Sequence, residues 1–209
     1  MLQAMDWFQK GLDVLALLYV ILVFPVPVFW LIIHRGIHFW RRFGTRSFWV
    51  AAPVWVVLGT ILVLLRHEIL GRRWDRDAPT WMLGFAFVAL GVWITRRVHR
   101  EFSLRRLAGF PEINPGRYPG GVVRAGIYAH LRHPRYLAFM LTFVGLAFLT
   151  GAVGIFVLAI ITILLYLIVA PLEEQELREQ YGAEYEAYAR EVSRFVPRLR
   201  RKTKPPIPL

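Results

Sequence analysis

The chain has 209 residues, 56% of them apolar and 15% aromatic, and a formal net charge of +12. The apolar residues stand in long unbroken blocks with no polar face, which excludes a water-soluble fold. The charge alone would suit a nucleic acid, but its placement suits a membrane, and the absence of cysteine excludes disulfides, thiolate zinc sites and a cysteine nucleophile.

The first apolar block, residues 11–33, is longer than a signal-peptide core of ~7 to 15 residues and has no small-x-small cleavage site. It reads as a membrane helix kinked at Pro25 and Pro27. Blocks 48–65 and 79–95 also match the ~20 residues that one crossing of a ~30 Å hydrocarbon layer requires. The fourth block, 136–172, would form a helix of about 55 Å, nearly twice the layer, so it should fold back as a hairpin. Thr150, Gly151 and Gly154 mark the turn. The expected fold is therefore all-α and integral to the membrane, with about five transmembrane helices, a C-terminal helical hairpin and cytoplasmic amphipathic helices.

Five crossings put 5 of the 26 Lys and Arg residues on the side of the N-terminus and the 66–78 loop. The other 21 fall in the 34–47 loop, the 96–135 loop and the tail. Positive residues gather on the cytoplasmic side, which predicts the N-terminus outside, the C-terminus in the cytoplasm and an active site on the cytoplasmic face. Trp30, Trp40, Trp49, Trp74, Trp81 and Trp93 read as interface anchors. Arg198, Arg200, Arg201, Lys202 and Lys204 read as a contact with anionic lipid, so membrane lipids are expected partners and nucleic acid is not.

Residues 1–95 form the three N-terminal membrane helices and residues 96–209 a catalytic region. The latter opens with a long loop, 96–135, rich in Pro and Gly, and loops of that length are more often functional than not. Beyond the hairpin, residues 173–194 are helical in pattern and broken at Gly182; Leu177, Tyr181, Tyr185 and Tyr188 form an apolar stripe in need of a partner. The hairpin returns Glu173 and Glu174 to the cytoplasmic mouth of the fourth helix, where Tyr128, Arg132, His133, Arg135 and Tyr136 lie. Rings, an imidazole and two carboxylates thus converge at the membrane surface from separate parts of the chain.

The segment GIYAHLRHPRY (126–136), the hairpin, the acidic pair, YGAEYEAY (181–188) and the closing Arg194, Phe195 and Pro197 resemble the integral membrane methyltransferases related to isoprenylcysteine carboxyl methyltransferase and phospholipid N-methyltransferase. The resemblance covers residues 120–197. It implies an S-adenosylmethionine-dependent enzyme that methylates a lipophilic small molecule or lipid without a metal. Carried over by position, Val122 and Val123 line the adenosine side, Tyr128, His133, Pro134 and Tyr136 surround the cofactor, and Glu173 meets its polar end. The loop offers Gly120 and Gly121 before Val122 where the family commonly has His-x-Leu-Val. An arginine that in the isoprenylcysteine branch stands four residues before the cofactor glutamate is Val169 here, which disfavours a prenylcysteine carboxylate as acceptor.

The residue types suit this chemistry. Aromatic faces and a carboxylate attract a sulfonium or ammonium cation. Methyl transfer mainly needs alignment and exclusion of water. Glu174 and Arg132 are the catalytic candidates, with Glu174 or His133 as base for a protonated acceptor. The rival reading is an NADPH-dependent membrane reductase of the sterol-reductase type, which shares an RHPxY-like stretch; no G-x-G-x-x-G phosphate loop is present. The pair His34 and His38 has the spacing of a metal site on one helical face, but with six histidines in the chain it reads as interfacial.

Overall fold

The computed structural model describes residues 2–101, 109–118 and 120–197, and among these every regular element is a helix. Helix α1 (Leu2–Val23) runs into α2 (Pro25–Arg35), divided where Pro25 lacks the backbone donor that an uninterrupted helix would use. A short α3 (Ile37–Arg41) and a 3-10 turn (Gly44–Val50) lead into α4 (Ala51–Leu64), followed by α5 (Arg66–Gly71) and α6 (Ala78–Glu101). A one-turn α7 (Phe110–Ile113) precedes the hairpin of α8 (Pro134–Thr150) and α9 (Val153–Tyr181), and α10 (Ala183–Glu191) ends the described helices.

Four stretches are long and apolar enough to cross a membrane: Asp6–Arg35, Gly44–Leu64, Ala78–Glu101 and Val153–Tyr181. Helix α8, Pro134–Thr150, is apolar but shorter. This is an all-helical integral membrane fold, with four full-length candidate spans where about five crossings were expected. On α9 the side chains of Phe156, Val157, Ile160, Ile161, Leu164, Leu167 and Ile168 are exposed, while Ile155, Ala159, Thr162, Tyr166 and Val169 are buried. A helix apolar on both faces, with one face packed and the other open, is suited to lipid as its solvent.

The hairpin turns at Gly151, whose φ of +66° suits glycine and closes α8. Gly154, expected in the turn, instead lies within α9, pressed against the backbone of Ile69. The segment after α5 clamps the turn: Trp74 N donates to Gly151 O at 3.1 Å and Arg73 Nη1 to Thr150 O at 3.0 Å. Arg73 also pairs with Asp13 at 2.7 Å, which explains the one acidic residue of the first apolar block. Helices α6 and α8 approach closely through small residues; a Cβ on Gly84 would stand 2.7 Å from the Leu149 side chain, and one on Gly145 2.7 Å from Val88.

Gly182, at φ +52°, separates α9 from α10 at the predicted break. The stripe of Leu177, Tyr181, Tyr185 and Tyr188 finds its partner in Val122 of the loop, together with Val192. Trp30 departs from its reading as an interface anchor: it is buried among Phe29, Ile33, Tyr136 and Tyr166. The basic tail expected on anionic lipid, Arg198 to Lys204, lies outside the described residues.

Candidate active site

The RHP stretch, residues 132–134, gains its shape from the C-terminal strap, residues 192–197. Pro134 opens α8 in the first turn, where its missing N–H costs nothing, and the two residues before it pair with the strap. Arg132 N donates to Ser193 O at 2.8 Å, and His133 N to Arg194 O at 3.1 Å. The strap therefore fixes both side chains at the mouth of the hairpin.

Glu174 is wholly buried and surrounded by cations. Arg194 grips it in bidentate fashion, with Nε and Nη2 each at 2.8 Å from a different carboxylate oxygen. Arg132 reaches it through Nη2 at 3.0 Å, His133 through Nε2 at 3.0 Å and Arg178 at 3.5 Å. Arg132 spends Nη1 on the carbonyls of Ala189 and Val192, both at 2.7 Å, thereby capping α10. This geometry makes Glu174 and Arg132 the joint between hairpin, α10 and strap.

Glu173 faces the other way. Its Oε2 accepts from the Tyr136 hydroxyl at 2.6 Å and lies 3.4 Å from His133 Nδ1. His133 thus stands between the two carboxylates. Burial works against its charge, but hydrogen bonds to Glu173 and Glu174 and their charges outweigh this, so its pKa lies above the ordinary 6.5. Its ring stacks on Tyr136 at 5.3 Å, and Tyr136 stacks on Tyr166 at 4.4 Å.

The remaining predicted residues lie around this centre. Tyr128, in the 3-10 turn Gly126–Ala129, accepts a hydrogen bond at its carbonyl from Tyr188 at 2.8 Å. Val122 packs on Tyr185 and Tyr188, and Val123 next to it is half-buried. The hydroxyls of Tyr166 and Tyr185 are buried with no hydrogen-bond partner among the described residues. A buried phenol normally has one, so these are the orphan donors that a polar ligand would satisfy. With stacked rings and the Glu173 carboxylate beside them, the residues fit a cofactor that carries both a sulfonium and an ammonium.

Next to this centre is a cavity of about 860 Å³, lined by Val26, Phe29, Trp30, Trp55, Val98 and Phe139, among other mostly apolar residues. Arg135 is the arginine in its wall, with Thr45, Thr95 and His99 as further polar groups. A cavity of this size and polarity suits a lipid tail with a charged head.

A model of the phospholipid methyltransferase family matches residues 79–184. The chain belongs to this family. The matched span holds every candidate residue from Val122 to Glu174, but neither Arg194 nor the α2 residues that wall the cavity. Comparison with curated proteins gave no match, and neither did comparison with solved structures. Membership carries methyltransferase activity on a lipid-like substrate, and nothing found supports the reductase reading.

Sequence reasoning missed three residues that this family member places around the site. Arg194 was legible only as part of a closing motif, since its pairing with Glu174 depends on the path of the strap. His34, read as interfacial, is 6% exposed and bonds Glu176 at 2.7 Å; His38 is on the surface. Glu176 carried one signal, its position three residues beyond Glu173 on the same helix.

Proposed function

We propose that the protein transfers a methyl group from S-adenosylmethionine to the amine head of a membrane lipid, working at the cytoplasmic face. The observation that carries this reading is the adjacency of a buried polar cluster, Glu173, Tyr136 and Tyr166, and an apolar cavity of about 860 Å³ with Arg135 in its wall. The family membership supports it.

In this reading residues 96–209 hold the cofactor, and residues 1–95 supply most of the wall of the acceptor cavity. Glu173 meets the cofactor's ammonium, Tyr136 and His133 lie around the cofactor and orient Glu173, and Val122, Val123, Tyr128 and Pro134 shape the adenosine side. The bound cofactor supplies an electrophilic methyl. The protein's share is alignment of the acceptor in line with that methyl, and exclusion of water by the buried aromatic cluster. Arg135 pairs with an anion in the acceptor, such as the phosphate of an aminophospholipid. Val169 is fully buried against Tyr136 and Tyr166 and offers that anion nothing. Glu174 and Arg132 hold the site together from behind, their hydrogen-bonding capacity largely taken by one another, by His133 and by the strap.

The test is incubation of the protein in lipid nanodiscs with methyl-labelled S-adenosylmethionine. An aminophospholipid and farnesylated cysteine are offered side by side. Label in the aminophospholipid is the expected result. Label only as a methyl ester of the prenylcysteine would overturn the choice of acceptor, and label in neither would overturn the reading.

A further inference from the structure

His34 and Glu176 lie 142 positions apart in the sequence and meet in the interior: Nδ1 is 2.7 Å from Oε1, and the two side chains are 1% and 8% exposed. A carboxylate accepting from Nδ1 fixes that nitrogen as the N–H and leaves Nε2 with the lone pair. Nε2 is itself buried and has no hydrogen-bond partner among the described residues. A buried imidazole nitrogen without a partner is costly, and neither lipid anchoring nor helix packing requires one.

Its surroundings connect it to the apolar cavity and to Glu173. The His34 ring stacks on Trp30 at 5.1 Å, and Trp30 lines the apolar cavity. On the other side, its partner Glu176 stands three residues beyond Glu173 on α9. One turn earlier, α2 presents Val26, Phe29 and Trp30 to the cavity. His34 itself lines a second, more polar cavity of about 550 Å³ with Gln175, Glu176 and Glu179, and Trp30 is the residue through which it borders the apolar one. The charged and titratable groups around the pair include Glu173 and Glu179 on α9, Arg35 on α2 and Arg41 on α3, 4.0 Å from Glu176. The second histidine of this region, His38, pairs with Glu179 outside, at 3.6 Å.

We propose that His34 is the general base of the transfer, with Glu176 as its positioning residue. This rests on the amine-acceptor reading above. A lipid amine is an ammonium at neutral pH and has no lone pair to attack with. Its N–H bond breaks, the proton passes to Nε2, and the freed pair forms the N–C bond to the methyl carbon. The C–S bonding electrons leave with sulfur, giving a neutral thioether, and the proton returns from the imidazolium to solvent. Glu176 stabilises that imidazolium and holds the ring's tautomer. The carboxylates beside Tyr136 and the strap are unsuited to the role of base, since Glu174 is held by three arginines and His133, and Glu173 is engaged with Tyr136 and His133.

The experiment uses the full chain in nanodiscs with a phosphatidylethanolamine probe and methyl-labelled S-adenosylmethionine. It compares wild type, His34→Asn, His34→Gln and Glu176→Gln across pH. In wild type kcat should rise with pH along an acid limb. The His34 variants should lose that limb and fall by ~100-fold or more at neutral pH, while cofactor affinity stays within about twofold. Glu176→Gln should retain part of the rate and move the limb to lower pH, since a positioning carboxylate favours the protonated ring. Variants that keep the wild-type limb and rate would overturn the proposal, as would a parallel loss of cofactor binding and melting temperature.

A second readout needs no turnover. Nitrogen-15 spectra of labelled histidine, assigned by subtracting the His34→Asn spectrum, should show His34 with the proton on Nδ1, and Glu176→Gln should weaken that preference. A proton on Nε2 in wild type would overturn the dyad. If wild type methylates no amine at all, it is the amine-acceptor reading that fails, and the base role falls with it even where the tautomer is as expected.

Discussion

Arg194 closes a two-armed salt bridge on Glu174, which lies twenty residues before it in the chain, and both arms measure 2.8 Å. The carboxylate at its centre is wholly buried, so its removal would leave Arg132, His133 and Arg194 gathered without a counter-charge. Breaking a buried pair from one side costs ~3 to 5 kcal/mol. Glu174→Ala should therefore lower the melting temperature sharply and reduce folded yield. Arg194→Lys, which keeps the charge but not the fork, should have a smaller effect. Thermal unfolding in detergent measures both, and a Glu174→Ala protein as stable as wild type would refute the structural role.

Glu173 should behave differently from its neighbour. Glu173→Gln and Tyr136→Phe should each weaken S-adenosylmethionine binding by roughly tenfold, the equivalent of one charged hydrogen bond at ~1.5 to 3 kcal/mol. Melting temperature without cofactor should fall less than in Glu174→Ala. Lys10→Ala, which touches only exposed groups, Asp6 and the Trp7 ring, serves as the control. Calorimetric titration separates the cases, and equal weakening by all three would mean that Glu173 is not a ligand.

The raised pKa of His133 gives stability a pH dependence with a definite sign. Its protonated form is favoured in the folded state by Glu173 and Glu174, so the stabilisation is complete below the unfolded value of about 6.5 and is lost as pH rises through the higher folded value. Melting temperature should accordingly decline on the alkaline side of about pH 6.5. In His133→Asn this slope should flatten. An unchanged slope in the variant would assign the dependence to another group.

The apolar cavity is bounded on one side by Ala51 at the start of α4. Ala51→Phe should fill part of it. If two methylenes of an acyl tail are displaced, at ~0.8 kcal/mol each, KM for a long-chain acceptor rises roughly tenfold. A short-chain acceptor should be spared, and the cofactor's Kd unchanged. Equal effects on long and short chains would show that the tail lies elsewhere.

The membrane character, the hairpin and the break at Gly182 were legible in the sequence because each is a local consequence of composition. A 37-residue apolar run cannot cross a ~30 Å layer once, and glycine at a required positive φ announces a turn. The convergence of Glu173, Glu174, His133 and Tyr136 was legible too, because a hairpin has to return its ends to the same level. Tertiary structure alone decided how these residues divide the work. Adjacent residues on a helix point about 100° apart, so Glu173 meets Tyr136 while Glu174 meets the strap, and nothing in the pair EE says which. His34 and Glu176, 142 positions apart, carried no joint signal, because their contact depends on α2 packing against α9. The chain's composition determined that its helices lie in lipid, while the packing of those helices determined which charges were buried together.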